Sequence, residues 1–339
     1  MNPDSPFISV IIPTFNRGEL LRETLESLRM QDSRDWEAII VDDGSDDNSA
    51  EIVNSYVTND SRFRFFYRDC ISSGAPVCRN IGIQHAKGDF LIFLDSDDLL
   101  KPFTLSQRLA VIRKEPAYDF WVFPMLLFRN DPQQAYALWN IDNGKDNLRR
   151  FLVLDAPWQT TGPVWRKEAV KKIGGFTEGL ACWQDIDFHL KALTFGLKGL
   201  ILWDEKPDVL YRQHETKSVS QADISSPAKL ISRQNIFIRH ASSFLPSIKP
   251  EIRNDLRVLG GNIVIGSAKA LNFRVFNSVV RFGLRKGIFS PSTTIKLLLL
   301  WFFYFLRLNR VAFLNKKMQL ITGSYRQDSN IGKHSFKQT

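Results

Sequence analysis

The stretch Phe90-Leu91-Ile92-Phe93-Leu94 runs directly into Asp95-Ser96-Asp97-Asp98. A short apolar run rich in aromatic and β-branched residues is typical of a buried strand in a parallel sheet. Open α/β folds bind ligands at the carboxyl edge of such strands. Clustered carboxylates repel one another unless a cation neutralises them, and hard oxygen ligands suit Mg²⁺ or Mn²⁺. The stretch therefore predicts a metal bound with a phosphorylated ligand. The plainer interpretation is a solvated acidic turn with Asp98 as a helix N-cap.

Alternating strand and helix patterns surround this stretch over the first 100 residues. Strands are predicted at 7–12, 36–41, 63–67 and 90–94. Helices are predicted between them, at 19–30, 46–57 and 77–86. Strands that alternate with helices pair in parallel through right-handed crossovers. The chain is therefore predicted to be an α/β protein with a Rossmann-like sheet.

The pattern becomes less regular after residue 102. We expect a helix at 105–113, one strand at 120–128, a loop and strand at 157–166, a helix at 186–194, and closing strands at 200–203 and 209–212. From about residue 225 onwards, long helical patterns with few acidic residues follow. Two parts are therefore predicted: 1–224 with the sheet, and 225–339 as a mostly helical, basic C-terminal extension.

The net charge of +9 is unevenly distributed along the 339 residues. From Arg257 to Thr339 there are 14 Lys and Arg and one acid, Asp328, which leaves a net charge of −4 for residues 1–256. A basic tail of this kind is expected to meet something anionic, either lipid headgroups or nucleic acid. Nucleic acid is the weaker interpretation, because no nucleic-acid-binding module accompanies the charge.

Cysteine usage and the first residues indicate a reducing compartment. The three cysteines are an odd number and form no CxxC pair, so neither a disulfide framework nor a zinc site is expected. The first six residues, MNPDSP, lack the basic region and apolar core of a signal peptide. We therefore expect a cytoplasmic protein.

The segment 297–306, with the sequence LLLLWFFYFL, is continuously apolar between Lys296 and Arg307. It is too short to span a membrane, which takes roughly 20 residues. Aromatic-rich helices with basic flanks lie in the headgroup region of a bilayer, whereas a buried core helix is the alternative. Nearby basic residues favour the membrane surface: Arg281, Arg285, Lys286, Arg310, Lys316 and Lys317. A peripheral location at the inner face of the cell membrane is therefore expected, and the core helix stays open.

Several motifs follow one another in an order that resembles a known family. They are Ser9-Val10-Ile11-Ile12-Pro13-Thr14-Phe15-Asn16-Arg17, Val41-Asp42-Asp43-Gly44-Ser45-Asp46-Asp47, Arg79-Asn80-Ile81-Gly82, Ala86-Lys87-Gly88-Asp89, Phe93-Leu94-Asp95-Ser96-Asp97-Asp98, Ile173-Gly174-Gly175-Phe176 and Trp183-Gln184-Asp185-Ile186-Asp187. Over residues 7–220 this set resembles the family 2 glycosyltransferases of the GT-A fold. The resemblance implies an inverting sugar transferase that uses a nucleotide-diphosphate sugar and Mg²⁺ or Mn²⁺. It also implies nucleotide binding by residues 1–100 and an acceptor side within 101–224.

The resemblance implies a nucleotide pocket at the ends of the first two predicted strands. The matching residues that would line it are Pro13, Thr14 and Asn16. Arg17 would meet a phosphate or would be a solvated residue at a helix start. Asp43 resembles the family carboxylate that accepts a hydrogen bond from the base, typically uracil, and Asp42 would lie near the ribose. The plainer interpretation of 42–45 is a turn, and both roles are compatible because Asp and Gly favour turns.

Asp95 and Asp97 correspond to the family's metal-binding Asp-x-Asp motif. Asp97 is the expected direct ligand, Asp95 a contact to the metal or the ribose, and Ser96 a further donor contact. The metal would neutralise charge on the leaving nucleotide. Arg79 has two equally weighted interpretations, a phosphate contact or an ion pair. His214, in the sequence YRQH, resembles a late family motif and is expected to be a further metal ligand, a diphosphate contact or simply a surface residue.

Asp185 is the expected general base, because the acceptor hydroxyl must lose its proton during an in-line attack. The alternative for Asp185 is a helix N-cap. The family motif usually reads Glu-Asp before a helix, and Gln184 stands here in place of the Glu, which is expected to alter acceptor contacts. Trp183 would stack on an acceptor sugar or lie in the core. Asp187 is expected to be structural.

The combined prediction is metal-dependent transfer of a sugar from a UDP-sugar to a hydroxyl of a glycan or lipid-linked acceptor, for a surface polysaccharide or lipopolysaccharide. The alternative is a catalytically degenerate membrane-binding module on the same scaffold, and only Gln184 supports it. A nucleotidyltransferase is disfavoured, because Pro-Thr-Phe-Asn-Arg follows the first strand where those enzymes have a Gly-rich basic loop. A dinucleotide oxidoreductase is disfavoured, because that strand is not followed by GxGxxG.

Overall fold

Four parallel strands form the centre of the molecule, close to the positions that the sequence predicts. The computed structural model describes residues 8–139, 141–214, 226–244 and 248–308. The central strands are β1 (Ile8–Thr14), β2 (Trp36–Asp42), β3 (Phe63–Tyr67) and β4 (Phe90–Phe93). The helices between them are α1 (Gly18–Arg29), α2 (Ser49–Asn59) and α3 (Ala75–His85). All residues of β1, β2 and β4 are buried, as expected for parallel strands covered on both faces.

Later segments extend this sheet and add a second one. They are β5 (Leu99–Leu100), α4 (Thr104–Lys114), β6 (Phe120–Val122), β7 (Met125–Phe128), a 3₁₀ turn (Pro132–Gln134), β8 (Ala137–Leu138), α5 (Asn147–Leu152), β9 (Pro163–Arg166), α6 (Lys167–Lys172), α7 (Gln184–Phe195), β10 (Gly199–Ile201) and β11 (Val209–Arg212). The seven-stranded sheet has the order β10-β6-β9-β4-β1-β2-β3, and β9 is antiparallel to both neighbours. The four-stranded sheet has the order β5-β11-β7-β8. The α/β prediction is therefore confirmed, with a mixed sheet beyond β4.

The prediction of one continuous strand at 120–128 is wrong. The chain leaves the large sheet after β6 and enters the small sheet with β7, and Phe123-Pro124 lies between them. Proline has no backbone N–H to donate to a ladder, so it is tolerated at strand ends rather than inside a central strand. An apolar run alone does not reveal such a change of sheet.

Pairing between β5 and β11 brings a late part of the chain to the end of β4. β5 begins directly after Asp98, and β11 pairs with it antiparallel, with Leu210 opposite Leu99. The residues that follow β11, up to His214, therefore lie beside the acidic run that follows β4.

Four helices follow the two sheets: α8 (Pro227–Ser243), α9 (Pro250–Lys269), α10 (Phe273–Arg285) and α11 (Pro291–Phe305). One cluster of buried apolar side chains passes from Ile11 in the sheet through Phe188 in α7 to Trp301 in α11. The helical extension thus shares a core with the rest of the protein. The boundary at 224/225 stays a prediction, since residues 215–225 lie outside the described part of the chain.

Helix α11 has an apolar face on each side. Leu297, Leu300 and Trp301 are buried against the other helices. The opposite face carries large apolar side chains that are 42–62% exposed: Ile295, Leu298, Leu299, Phe302, Phe305 and Leu306. The buried face fits the core-helix interpretation of 297–306, and the membrane-surface interpretation stays a prediction that concerns the exposed face. No helix in the described ranges is long and apolar enough to cross a membrane.

Candidate active site

A cleft of about 400 Å³ opens at the carboxyl ends of β1, β2 and β4. It is lined by Pro13, Thr14, Phe15, Arg17, Asp43, Gly74, Ala75, Cys78, Arg79, Asp95, Ser96, Asp97, Ala181, Cys182, Gln184, Tyr211 and His214. Most of the residues that the sequence predicts for a site are therefore brought together. Four predicted residues are not among the lining residues: Asn16, Asp42, Trp183 and Asp185.

Asp43 lines the cleft where β2 ends, and its carboxylate is held from two sides. Its Oδ1 accepts a hydrogen bond from Nε of Arg68 at 2.7 Å, and its Oδ2 accepts one from the backbone N–H of Gly74 at 2.8 Å. A carboxylate fixed in this way is a preorganised acceptor for a ring N–H of a base. Sequence reasoning gave Arg68 no role. Its position directly after β3, at the same sheet edge, was the available signal.

Asp42 and Asn16 hold the loops beside the cleft. Asp42 is 1% exposed, and its Oδ2 accepts hydrogen bonds from the backbone N–H groups of Gly44 and Ser45 at 3.1 and 2.9 Å. Asn16, at φ +49°, accepts a hydrogen bond from the N–H of Asp46 at 2.9 Å. In this structure both side chains stabilise turns by accepting hydrogen bonds from backbone N–H groups. Their predicted contacts with a ligand stay predictions.

The three carboxylates after β4 point in different directions. Asp95 accepts a hydrogen bond from Nη2 of Arg79 at 2.5 Å, which fits the ion-pair interpretation of that arginine. Oδ2 of Asp97 lies 2.7 Å from Nε2 of His214 and also contacts the guanidinium of Arg17. Asp98 is turned into the protein. Only Asp95 and Asp97 therefore face the cleft.

Asp98 ties three segments together behind the cleft. Its carboxylate accepts hydrogen bonds from Nε2 of Gln159 and from the backbone N–H of Arg212, both at 3.0 Å. Burial, together with the nearby charges of Asp97 and Asp95, raises the pKa of Asp98 well above its ordinary value. Asp98 is therefore a structural anchor between β4 and β11, and the predicted role as a helix N-cap is wrong, since α4 begins at Thr104.

The pair Asp97 and His214 fits a divalent metal. A carboxylate suits Mg²⁺ or Mn²⁺, and a neutral imidazole is a common metal ligand. Among the described residues, no three side chains of His, Cys, Asp or Glu converge to form a complete metal site. Mg²⁺ is usually held by one or two carboxylates together with substrate phosphates. The donor set therefore fits a metal whose coordination the phosphates of a ligand complete.

The part of the cleft for which the sequence predicts acceptor contacts lies where α7 begins. Gln184 is the first residue of α7 and lines the cleft, so Asp185 lies in the first turn rather than at the N-cap. The pKa of Asp185 is raised above its ordinary value, chiefly by burial. The charge of Asp95 adds to this effect, and the charge of Arg79 opposes it. The candidate base is therefore within electrostatic reach of the residues that end β4.

Tyr211 also lines the cleft. Burial raises the pKa of its phenol, and four negative charges add to this effect: Asp98, Asp95, Asp97 and Asp185. Its ring also packs against Trp139, with centroids 4.8 Å apart. The Tyr211 hydroxyl thus stays protonated and is available as a hydrogen-bond donor near both carboxylate groups. Sequence reasoning quoted this residue within a motif but assigned it no role.

Comparison with known proteins gives a family match and related sequences. The model of glycosyl transferase family 2 matches residues 9–174. An uncharacterized glycosyltransferase of Haemophilus influenzae is 32% identical over 189 residues, 55% of this chain and 62% of that protein. The GalNAc(5)-diNAcBac-PP-undecaprenol beta-1,3-glucosyltransferase of Campylobacter jejuni is 39% identical over 115 residues, 34% of this chain and 37% of that protein. The chain thus spans less than two thirds of the length of either relative.

Solved structures share the fold at low sequence identity. S. aureus TarS 1–349 in complex with UDP-GlcNAc aligns with a TM-score of 0.57 at 20% identity, over 83% of this chain and 92% of that one. The mannosyltransferase PcManGT from Pyrobaculum calidifontis, in complex with GDP-Man and Mn²⁺, aligns with a TM-score of 0.51 at 16% identity, over 95% and 86%. The predicted GT-A-type fold with a helical C-terminal extension is confirmed.

Proposed function

Because this chain belongs to glycosyl transferase family 2 through residues 9–174, we propose that it transfers a sugar from a UDP-sugar to an acceptor hydroxyl with inversion. The observation that carries the proposal is one cleft lined by Asp43, Asp97, His214 and Gln184. The undecaprenol-linked substrate in the name of the Campylobacter relative supports a glycan or lipid-linked acceptor. The product would belong to a surface polysaccharide or lipopolysaccharide.

The donor side binds and orients the nucleotide-sugar. Asp43, fixed by Arg68 and Gly74, accepts the N–H of the base, and Pro13 and Thr14 form the adjoining wall. Arg17 and Arg79 supply positive charge for the diphosphate. In this structure Arg17 forms an ion pair with Asp97, and Arg79 forms one with Asp95. When bound at Asp97 and His214, Mg²⁺ or Mn²⁺ would neutralise the charge that develops on the departing UDP.

The acceptor side removes a proton from the attacking hydroxyl. Burial raises the pKa of Asp185, which makes its carboxylate a stronger base than that of an ordinary aspartate. Gln184, uncharged where the family usually has Glu, offers an amide to the acceptor. A single in-line attack from this side, opposite the leaving diphosphate, inverts the anomeric centre.

Thermal unfolding in the presence of nucleotide-sugars and Mn²⁺ tests the donor assignment. A ligand that binds only the native state raises the melting temperature. UDP-sugars with Mn²⁺ are expected to raise it more than GDP-sugars or UDP-sugars with EDTA. An equal shift with every nucleotide, or none, would contradict a uridine-specific, metal-assisted site.

The second candidate function is a catalytically degenerate module without transferase activity. Slow hydrolysis of a UDP-sugar distinguishes it from an active transferase. With water as acceptor, the intact chain should release UDP from a UDP-sugar in the presence of Mn²⁺, and Asp185→Asn should slow this release about 10²-fold while UDP still binds. Binding without release in the intact chain would favour the degenerate module.

Peripheral attachment to an anionic membrane is part of the proposal, and the outward face of α11 supports it. Apolar side chains all around a helix indicate that both faces have partners. Basic side chains of α10, of α11 and of the residues that follow these helices are exposed as well: Arg274, Arg281, Arg285, Lys286, Lys296 and Arg307. Between Arg257 and Leu308 the sequence has no acid to oppose them. Charge complementarity thus favours anionic headgroups, and a location at the inner face of the cell membrane follows. Arg310, Lys316 and Lys317 lie outside the described residues.

Vesicle flotation tests this attachment. The double variant Leu299→Gln/Phe302→Gln removes exposed apolar side chains and should float less with phosphatidylglycerol vesicles than the intact chain. Phe195→Gln, at an equally exposed phenylalanine on α7, is the matched control. Unchanged flotation of the double variant, or its loss of self-association instead, would contradict a lipid-binding face.

A further inference from the structure

Helix α8 contacts residues 181–183, the segment that precedes the candidate base Asp185. The backbone N–H of Ala181 donates to Oγ of Ser232 at 2.9 Å, and the Arg233 guanidinium lies 4.9 Å from the centre of the Trp183 ring. Sγ of Cys182 donates to the backbone carbonyl of Lys229 at 3.5 Å. Three consecutive residues of the segment are thus held by one helix, and Ala181 and Cys182 also line the cleft.

A second set of contacts between α8 and this part of the chain involves Asp187, in the first turn of α7. Asp187 has no exposed surface, and its carboxylate lies 2.9 Å from Nε2 of His240 and 2.8 Å from Nη1 of Arg239. Nη1 of Arg239 also donates to Oγ1 of Thr177 at 2.8 Å. A buried carboxylate with two cationic or polar partners is costly to disrupt, because removal of one partner leaves charge unpaired. Asp187 therefore has the structural role that the sequence predicts, and its partners come from α8.

Trp183, which lies between these two sets of contacts, has a left-handed (αL) backbone conformation. Its φ of +59° is uncommon for a residue with a bulky side chain, and such conformations persist only where the surroundings impose them. The N–H of Asp187 donates to the carbonyl of Trp183 at 2.9 Å, which fixes the turn from the α7 side. The contacts of α8 fix it from the other side. Gln184 and Asp185 follow directly, so the direction in which they leave the turn depends on both.

We infer that α8 is a positioning element of the acceptor side: Ser232, Arg233 and His240 hold the 181–187 segment so that Gln184 lines the cleft and Asp185 follows it in the first turn of α7. The inference rests on the proposed function for Asp185. It extends the catalytic unit past residue 174, where the family match ends, and past the predicted boundary at 224/225. Trp183 is accordingly held by Arg233, and its role is to set the turn rather than to meet the acceptor.

The test compares Arg233→Leu and Ser232→Ala with the control Asn235→Ala, an exposed residue of the same helix. Release of UDP from UDP-GlcNAc with Mn²⁺ gives kcat and KM, and calorimetry gives the Kd of UDP. A small misplacement of a reacting group costs up to about 10²-fold in rate. We expect kcat to fall at least about tenfold in Arg233→Leu, with the Kd of UDP within about twofold of the intact chain. Arg233→Lys, which keeps a cation over the ring, should restore part of the rate.

Other outcomes decide between the inference and the function on which it rests. Intact kcat in Arg233→Leu and Ser232→Ala, with kcat of Asp185→Asn about 10²-fold lower, would overturn the inference and leave the proposed function standing. A parallel loss of kcat, UDP affinity and melting temperature would also overturn it, since a general loss of structure would then explain the rate. Intact kcat in Asp185→Asn would instead overturn the proposed base.

Discussion

The proposed donor and acceptor sides of the cleft are built in different ways. On the donor side, Thr14, Asp43 and Asp95 follow or end three strands of one sheet within the first 100 residues, and parallel pairing brings them together. His214, which pairs with Asp97 on that side, is added by a strand of the second sheet. On the proposed acceptor side, Gln184 begins a helix, and α8 holds the turn between residues 181 and 187. Sheet topology thus assembles most of the donor side, whereas the acceptor side depends on contacts between distant segments.

The largest effect is expected from Asp97→Ala, which removes the carboxylate that faces His214. Turnover should fall by about three orders of magnitude, because one preorganised electrostatic group is worth about 10²–10³ in rate. Release of UDP from a UDP-sugar with Mn²⁺ measures it. Asp46→Ala, an exposed acid on the neighbouring loop, is the control and should stay active. Equal activity of both variants would remove Asp97 from the donor side.

A smaller loss, about 10²-fold in kcat, is expected for Asp185→Asn, which keeps the shape of the side chain but removes the base. The rate of the intact chain should also fall on acidification, because protonation of Asp185 inactivates it. Its raised pKa places this fall above the range of an ordinary aspartate. A pH–rate profile of kcat measures the effect. The same acid limb in the variant would show that another group titrates.

Arg68→Ala should weaken UDP binding about tenfold, through loss of the charge-assisted bond that fixes Asp43, with little change in kcat. Arg62→Ala is a matched control, since Arg62 pairs with Asp60 at 2.6 Å at the other end of β3. Calorimetric titration of UDP compares them. A fall in kcat without a change in UDP affinity would place Arg68 outside the nucleotide pocket.

The smallest effect concerns the pH dependence of stability, and it arises from α7, the helix that carries Gln184 and Asp185. His189 of α7 is buried, its Nδ1 accepts a hydrogen bond from Trp158 at 3.2 Å, and burial, aided by Arg79, lowers its pKa from 6.5 to about 3. The folded state therefore disfavours the proton that the unfolded chain takes up below pH 6.5. The free energy of unfolding should be unaffected by His189 above that pH. It should fall by about 1.4 kcal/mol per pH unit below it.

Denaturant unfolding at pH 7.5, 6 and 5 measures this dependence, and His189→Gln removes the titrating group. Its curve should be flatter between pH 6 and 5 than that of the intact chain. Parallel curves would assign the acid sensitivity to other groups.

Sequence reasoning reached the donor side because local signals and topology agree there. The apolar run of β4 and the acids after it predict a ligand-binding edge, and Asp95 and Asp97 line the cleft at the end of β4. The inward turn of Asp98 was not predictable, because its partners Gln159 and Arg212 are 61 and 114 residues away in sequence. The same holds for the grip of Ser232 and Arg233 on the 181–187 segment. Patterns of period two or 3.6 report burial within an element and carry no information on which distant element covers it.

The division of labour between the two sides is tested most directly by titrating UDP, with and without Mn²⁺, into the intact chain, Asp97→Ala and Asp185→Asn. Mn²⁺ should tighten UDP binding equally in the intact chain and in Asp185→Asn, and should have no effect on Asp97→Ala. Retention of the Mn²⁺ effect in Asp97→Ala, or its loss in Asp185→Asn, would contradict the account.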